Sequence, residues 1–249
     1  MKKYGLIGYP LSHSFSENFF ANKFREEGIT DCVYQNFPLE NIGQLRELIA
    51  GNRDLRGLNV TIPFKEKILP YLTGSTEIVK AIGACNCVKI NGESFTGYNT
   101  DVIGFEISLL KDLRPYHSKA LILGEGGAAK AVAYVFEKIG IEYLYVVRKG
   151  ESTQQKILFG DLSDSLINSH TIIVNSTPVG MYPNIHEYPP INYDVLGSRH
   201  YLFDLIYNPA KTMFLQKGEA GGAVIKNGQE MLILQAEESW RIWTTALDL

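Results

Sequence analysis

The stretch from Lys119 to Val147 constrains this chain more than any other. Residues 119–123, Lys-Ala-Leu-Ile-Leu, have the length and apolar character of a buried strand. They run directly into Gly124-Glu125-Gly126-Gly127, then into an alanine-rich helical stretch from Ala128 to Ile139, then into a second strand from Glu142 to Val147. A strand, a glycine turn, a helix and a strand in that order predict a βαβ unit, the context in which such a turn fits a dinucleotide. Gly124 would make the tight bend, Gly126 would let a pyrophosphate approach, and Ala129 would let the helix pack on its strand. Gly127 and Ala128 open the helix, whose first amides are donors for phosphate. A tight turn with nothing bound is the structural alternative, and the flanking elements weigh against it.

Strands and helices alternate elsewhere too. Lys3–Gly8, Val33–Phe37 and Gly57–Thr61 read as strands, and Ser16–Glu27, Ile42–Ala50 and Ser75–Ile82 as helices. Cys87–Ile90 and Ser94–Tyr98 flank Asn91-Gly92, a hairpin signal. Asp101 opens a helix through Lys111 that stops at Arg114-Pro115, and a domain boundary is predicted there. The last helix, from Gly228 to Thr245, carries Met231, Leu232, Leu234, Trp240 and Trp243 and should be packed. The expected fold class is α/β with two domains.

Two segments near the start concentrate chemistry: His13-Ser14-Phe15-Ser16 after Gly8-Tyr9-Pro10, and Asn59-Val60-Thr61-Ile62-Pro63-Phe64-Lys65. They put hydroxyls, an amide and one amine on strand ends and turns. Such groups suit a small polyhydroxylated ligand with an acidic function, and a lone lysine can move a proton. The structural reading is that Ser14 and Ser16 cap the next helix and that Lys65 is a surface lysine.

With these residues in place, the chain resembles the shikimate dehydrogenase family. The resemblance rests on Gly-x-Pro-x-x-His-Ser-x-Ser, Asn-Val-Thr-x-Pro-Phe-Lys, Asn99-Thr100-Asp101, the glycine turn, Asn175-Ser176-Thr177-Pro178 with Gly180-Met181, Asp204-Leu205-Ile206-Tyr207-Asn208-Pro209, and Met231-Leu232 before Gln235-Ala236. Seven motifs in the expected order cover nearly the whole chain. The resemblance implies a substrate domain of residues 1–101 plus 229–249 and a Rossmann-type NADP domain of residues 102–228, joined by crossing helices with a cleft between. It implies reversible NADP-dependent reduction of 3-dehydroshikimate to shikimate, in aromatic amino acid (chorismate) biosynthesis. Lys65 and Asp101 would carry the proton. Ser14, Ser16 and Tyr207 would hold the substrate carboxylate, and Thr61, Asn86, Asp101 and Gln235 its ring hydroxyls. Thr177 and Met181 would line the nicotinamide, with the backbone of Leu205 and Gly228 near its carboxamide. Asn59 either touches the ligand or holds the loop.

The end of the second Rossmann strand decides the cofactor, because an acid there binds the ribose of NAD and cations there accept a 2′-phosphate. This chain has Val147-Arg148-Lys149 where the family usually has Asn-Arg-Thr. Arg148 and Lys149 therefore favour NADP, although Val147 departs from the pattern and the segment from Gly150 to His170 is short. Two other readings stand beside this one: an NAD-using quinate/shikimate dehydrogenase, and a noncatalytic shikimate-binding sensor, against which Lys65 and Asp101 together argue.

The net charge of −3, mixed along the chain, gives no electrostatic case for nucleic acid. No apolar run approaches the ~20 residues of a bilayer helix, and a cytoplasmic monomer or homodimer is expected. Three cysteines, Cys32, Cys85 and Cys87, have neither disulfide nor zinc spacing, and no metal is expected.

Overall fold

The computed structural model describes residues 1–11 and 15–245. They form two compact α/β units, Met1–Thr100 with the chain from Ala236 onward, and Asp101–Gln235. Asp101 and residues 229–235 thus group with the second unit, whereas the sequence pattern divides them into the first.

In the first unit, β1 (Lys2–Gly8), α1 (Phe15–Glu26), β2 (Cys32–Pro38), α2 (Leu45–Gly51) and β3 (Leu55–Val60) are followed by β4 (Gly74–Ser75), α3 (Glu77–Ile82), β5 (Cys87–Asn91) and β6 (Ser94–Tyr98). The sheet order is β2-β1-β3-β5-β6-β4. β1 lies parallel to both β2 and β3, while β5 runs antiparallel to β3 and to β6. The β5–β6 hairpin forms one residue later than Asn91-Gly92 suggests. Asn91 still pairs with Ser94, so Gly92 and Glu93 make the loop, and Gly92 takes the positive φ of 59° that a glycine-first two-residue turn requires. The helix expected over 42–50 is a short 3₁₀ turn, Ile42–Gln44, ahead of α2.

The second unit contains α4 (Asp101–Leu110), β7 (Lys119–Leu123), α5 (Gly127–Ile139), β8 (Glu142–Val147), β9 (Lys156–Leu158), α6 (Asp164–Ser169), β10 (Ile172–Asn175), β11 (Tyr201–Asp204), α7 (Met213–Ala220) and β12 (Val224–Lys226). All its strand pairs are parallel, in the order β12-β11-β10-β7-β8-β9. Counted from β7, that is the 3-2-1-4-5-6 order of a Rossmann sheet. A parallel sheet must be covered on both faces, which is why β7 and β10 read as continuous apolar runs, buried throughout except at Lys119.

The final helix, α8 (Gln229–Thr244), is shared. Its first half packs on α4: a side chain at Gly104 would meet the Met231 carbonyl at 2.6 Å and Gln235 at 3.3 Å. Its second half closes the first unit's aromatic cluster, where Trp243 stacks on Tyr4 at 5.0 Å and its indole N–H donates to the Val88 carbonyl. No helix among the described residues is long and apolar enough to cross a membrane.

Candidate active site

In an open α/β sheet, ligands bind beyond the carboxyl ends of strands, where neighbouring connections leave in opposite directions. Each unit has such a point. In the first, the chain leaves β1 toward α1 and β2, and leaves β3 toward β5, so the crossing lies between Gly8 and Val60. The motif segments of the sequence reading are the two loops that follow.

Thr61 continues from β3, its N–H donating to the Ile7 carbonyl at 2.9 Å. Gly8 makes this approach possible, because a Cβ there would overlap the Thr61 methyl. The next residues fold tightly: Phe64 N–H reaches the Thr61 carbonyl at 2.9 Å, and its ring is buried in the core with Ile68. That anchor fixes Lys65, whose carbonyl accepts from Cys85 N–H at 2.8 Å and whose side chain stays half-buried. Asn86 follows immediately. It is buried, its carbonyl takes the Val60 N–H, its Oδ1 accepts from Thr100 N–H at 2.7 Å, and its Nδ2 donates to the Thr100 hydroxyl at 3.0 Å. Thr61, Lys65 and Asn86 therefore share one end of the sheet. Thr100, the last residue of this unit before Asp101, is fixed there too. Asp101 is buried and begins α4, where the helix amides face an acidic side chain favourably.

Behind these groups runs a buried polar chain. The Ser16 hydroxyl hydrogen-bonds the Tyr34 phenol, Tyr34 donates to Asn59 Oδ1 at 2.9 Å, and Asn59 Nδ2 donates to the Ser239 hydroxyl at 2.8 Å. Burial pushes the Tyr34 phenol up from its ordinary range, so it remains a donor. Asn59 thus has both ends of its amide engaged, by Tyr34 of β2 and Ser239 of α8. Ser16 is buried in the first turn of α1, whereas His13 and Ser14 lie outside the described residues.

The second unit's crossing lies between β7 and β10. Gly124 has φ of 104°, and a side chain on it would meet both the Ser176 hydroxyl and the Thr177 methyl at 3.0 Å. Ser176 closes the gap, donating from its N–H and its hydroxyl to the Leu123 carbonyl. Gly126 is different. It precedes α5 at an ordinary φ of −75°, and among the described residues no side chain caps the helix there and an added Cβ would touch nothing. The turn is a bare cradle at a helix start, which fits a dinucleotide pyrophosphate. Ala129 is fully buried against the sheet; Gly127 and Ala128 begin the helix.

Val147 ends β8 buried, and Arg148 and Lys149 beyond it are exposed; among the described residues they enter no hydrogen bond or ion pair. Asn175, at the end of β10, accepts from both the N–H and the hydroxyl of Thr177, at 3.1 and 2.7 Å. Met181 is exposed nearby in sequence, after Gly180 at φ 94°. Leu205 and Gly228 meet: Gly228 N–H donates to the Ile206 carbonyl at 3.0 Å, and any side chain on Gly228 would strike the Leu205 carbonyl.

The sequence reading missed what holds this edge. Asp204 is fully buried at the end of β11 and accepts from Thr212 at 2.5 Å, from Ile206 N–H at 3.0 Å and from Asn175 Nδ2 at 3.1 Å. Burial raises its carboxyl to about 7. It ties the Thr177 loop to the segment carrying Leu205 and Tyr207. A lone acid ending the apolar run Tyr-Leu-Phe was the available signal. Tyr207 and Gln235 both lie in the second unit, Tyr207 half-buried and Gln235 buried, its Nε2 donating to the Leu232 carbonyl. A hollow of about 550 Å³ opens at the opposite, amino end of this sheet, beside Lys119, Thr171 and Arg199. None of the motif residues lines it.

A Rossmann unit joined to an α/β unit with a hydroxyl- and amine-bearing strand edge is the architecture of a two-domain, dinucleotide-dependent dehydrogenase. Comparison with known proteins specifies which. Residues 6–88 match the shikimate dehydrogenase substrate binding domain. The NADP(+) shikimate dehydrogenase of Caldicellulosiruptor saccharolyticus is 38% identical over 100% of this chain and 94% of its own. The shikimate 5-dehydrogenase of Thermus thermophilus, solved in complex with NADP(H) and shikimate, superposes with a TM-score of 0.86 at 27% identity, over 99% of this chain and 95% of the other. The quinate dehydrogenase of Corynebacterium glutamicum, solved with NAD, superposes at 0.85 with 26% identity, over 98% and 93%. The chain belongs to the shikimate dehydrogenase family.

Proposed function

We propose that this chain is an NADP-dependent shikimate dehydrogenase, interconverting 3-dehydroshikimate and shikimate in aromatic amino acid biosynthesis, with substrate held chiefly by the first unit and NADP by the second. The observation that carries the reading is the pairing, in one chain of this family, of a Thr61–Lys65–Asn86 edge with the bare glycine turn of a Rossmann sheet. NADP, when bound, accepts or supplies the hydride at its nicotinamide. In reduction, the Lys65 ammonium donates a hydrogen bond and then a proton to the oxygen that gains charge; in oxidation, the same amine receives the hydroxyl proton. Asp101 supplies the opposite charge and accepts from a ring hydroxyl. Thr61, Asn86 and Gln235 present directional groups to the other hydroxyls. Ser14, Ser16 and Tyr207 bind the carboxylate, a more shape-dependent grip than a guanidinium clamp. Thr177, Met181, Leu205 and Gly228 form the nicotinamide end.

Arg148 and Lys149 favour the 2′-phosphate of NADP, and no acid stands at Val147 to bind the ribose of NAD. This speaks against the quinate-type reading, which the shared fold leaves open. The sensor reading has no use for an amine and an acid together. The buried cysteine side chains of Cys85 and Cys87 suit a reducing compartment, in keeping with a cytoplasmic monomer or homodimer.

Lys65→Ala tests the reading. Turnover of shikimate with NADP⁺ should fall by about two to four orders of magnitude, with a smaller change in shikimate affinity measured by calorimetry. Near-native turnover would remove Lys65 from the chemistry.

A further inference from the structure

The link between β8 and β9 consists of residues 148–155 alone and contains no helix. Parallel neighbours are ordinarily joined by a crossover of about a dozen residues or more, usually helical. The missing helix changes what faces the cofactor edge. Tyr143 and Tyr145 of β8 lie half-buried on the face that also holds α5, where Phe136 meets Tyr143. Lys156, the first residue of β9, pairs in register with Tyr145 and shares that face. Its ammonium forms an ion pair with Glu125, the residue between Gly124 and Gly126 in the glycine turn. An acid from the β7–α5 turn and a base from β9 therefore join across β8, the strand whose carboxyl end receives the adenosine ribose in this fold.

The glycine turn, the β8–β9 link and the start of β9 carry Arg148, Lys149 and Lys156 against Glu125 and Glu151, and Asp161 meets the link at Ser152. Lys156 is the cation already committed to an acid. Both partners are accessible, with side chains 32% and 50% exposed, so the pair can open at little cost, as exposed ion pairs do. A 2′-phosphate is a stronger anion than a carboxylate and seeks the same donor.

Resting on the NADP reading, we propose that Lys156 is a ligand of the cofactor's 2′-phosphate and that Glu125 positions it and competes with that phosphate, so that the pair sets the strength of the preference for NADP over NAD. This replaces the grip lost where the family's usual asparagine is Val147 and the following segment is short.

The test is calorimetric binding to the full chain of 2′,5′-ADP, which carries the 2′-phosphate, and of 5′-AMP, which lacks it. Lys156→Gln should weaken 2′,5′-ADP about tenfold or more, the loss of a hydrogen bond to a charged group. Glu125→Gln should tighten it about two- to fivefold, the size of an exposed pair. Neither should change 5′-AMP by more than about twofold, and the double variant should fall between the singles. If wild type prefers 2′,5′-ADP but Lys156→Gln binds it unchanged, Lys156 is no ligand, and the NADP reading stands. If Glu125→Gln weakens 5′-AMP, Glu125 serves as a ribose acceptor and the competition is overturned. If wild type shows no preference for 2′,5′-ADP, the NADP reading itself fails along with the inference.

Discussion

The two strand-end crossings solve opposite problems. At the β1/β3 edge the chain presents side chains: Thr61, Lys65 and Asn86 stand beside the buried line Ser16–Tyr34–Asn59–Ser239. At the β7/β10 edge it withholds them, because Gly124 leaves room for Ser176 and Gly126 leaves room that none of the described residues fills. A hydroxylated ring is recognised by groups that protrude, each aimed at one oxygen. A pyrophosphate is recognised by backbone amides, which requires that nothing protrude. The same topological rule thus yields two sites of opposite chemistry, and substitutions should separate them.

The largest effect is expected at Gly126. Its backbone angles suit any residue and its surroundings are open, so Gly126→Val should cost the free protein no more than about 1 kcal/mol. It should still weaken NADP⁺ by about a hundredfold or more, since two or more hydrogen bonds to charged phosphate are lost. Calorimetry with NADP⁺ beside a thermal melt checks both halves. A destabilised protein with native cofactor affinity would make Gly126 a folding residue.

On the other edge, Asn59→Ala removes the amide that accepts from Tyr34 and donates to Ser239, and should cost about 1–3 kcal/mol in urea unfolding. Shikimate affinity should stay within about threefold. An unchanged melt with a tenfold loss of shikimate binding would turn Asn59 into a ligand contact.

A further effect is a pH slope. Asp204 rises from 3.8 to about 7 through burial. The unfolded chain releases this proton near pH 4 and the folded chain keeps it to about 7, so the folded form holds the extra proton across that window and loses stability as pH rises through it. Asp204→Asn removes the titrating group. The stability difference between wild type and variant should therefore change steadily from about pH 4 to 7 and level off above; parallel curves would contradict the shift.

How much of this was legible in the sequence follows from range. Lys119–Val147 was legible because strand, turn and helix are contiguous and each has its own periodicity; all three formed within a residue of expectation. The β5–β6 hairpin was legible but slipped by one, since Asn91 could serve either as turn or as last paired residue, and pairing with Ser94 won. β4, β9 and β12, of two or three residues, are too short to show alternation, and only neighbours in the sheet define them. Asp204 left a signal as a lone acid ending an apolar run, but its partners and the Glu125–Lys156 pair were not legible because they lie far off in sequence: Asn175 and Lys156 come into range only once the parallel strands align.

In the proposed enzyme one edge selects shikimate and the other NADP. Steady-state kinetics with shikimate and with quinate, each against NADP⁺ and NAD⁺, tests it directly. kcat/KM should be highest for shikimate with NADP⁺, quinate should be the poorer substrate with either cofactor, and NAD⁺ the poorer acceptor with either substrate. Preference for NAD⁺, or for quinate over shikimate, would contradict it.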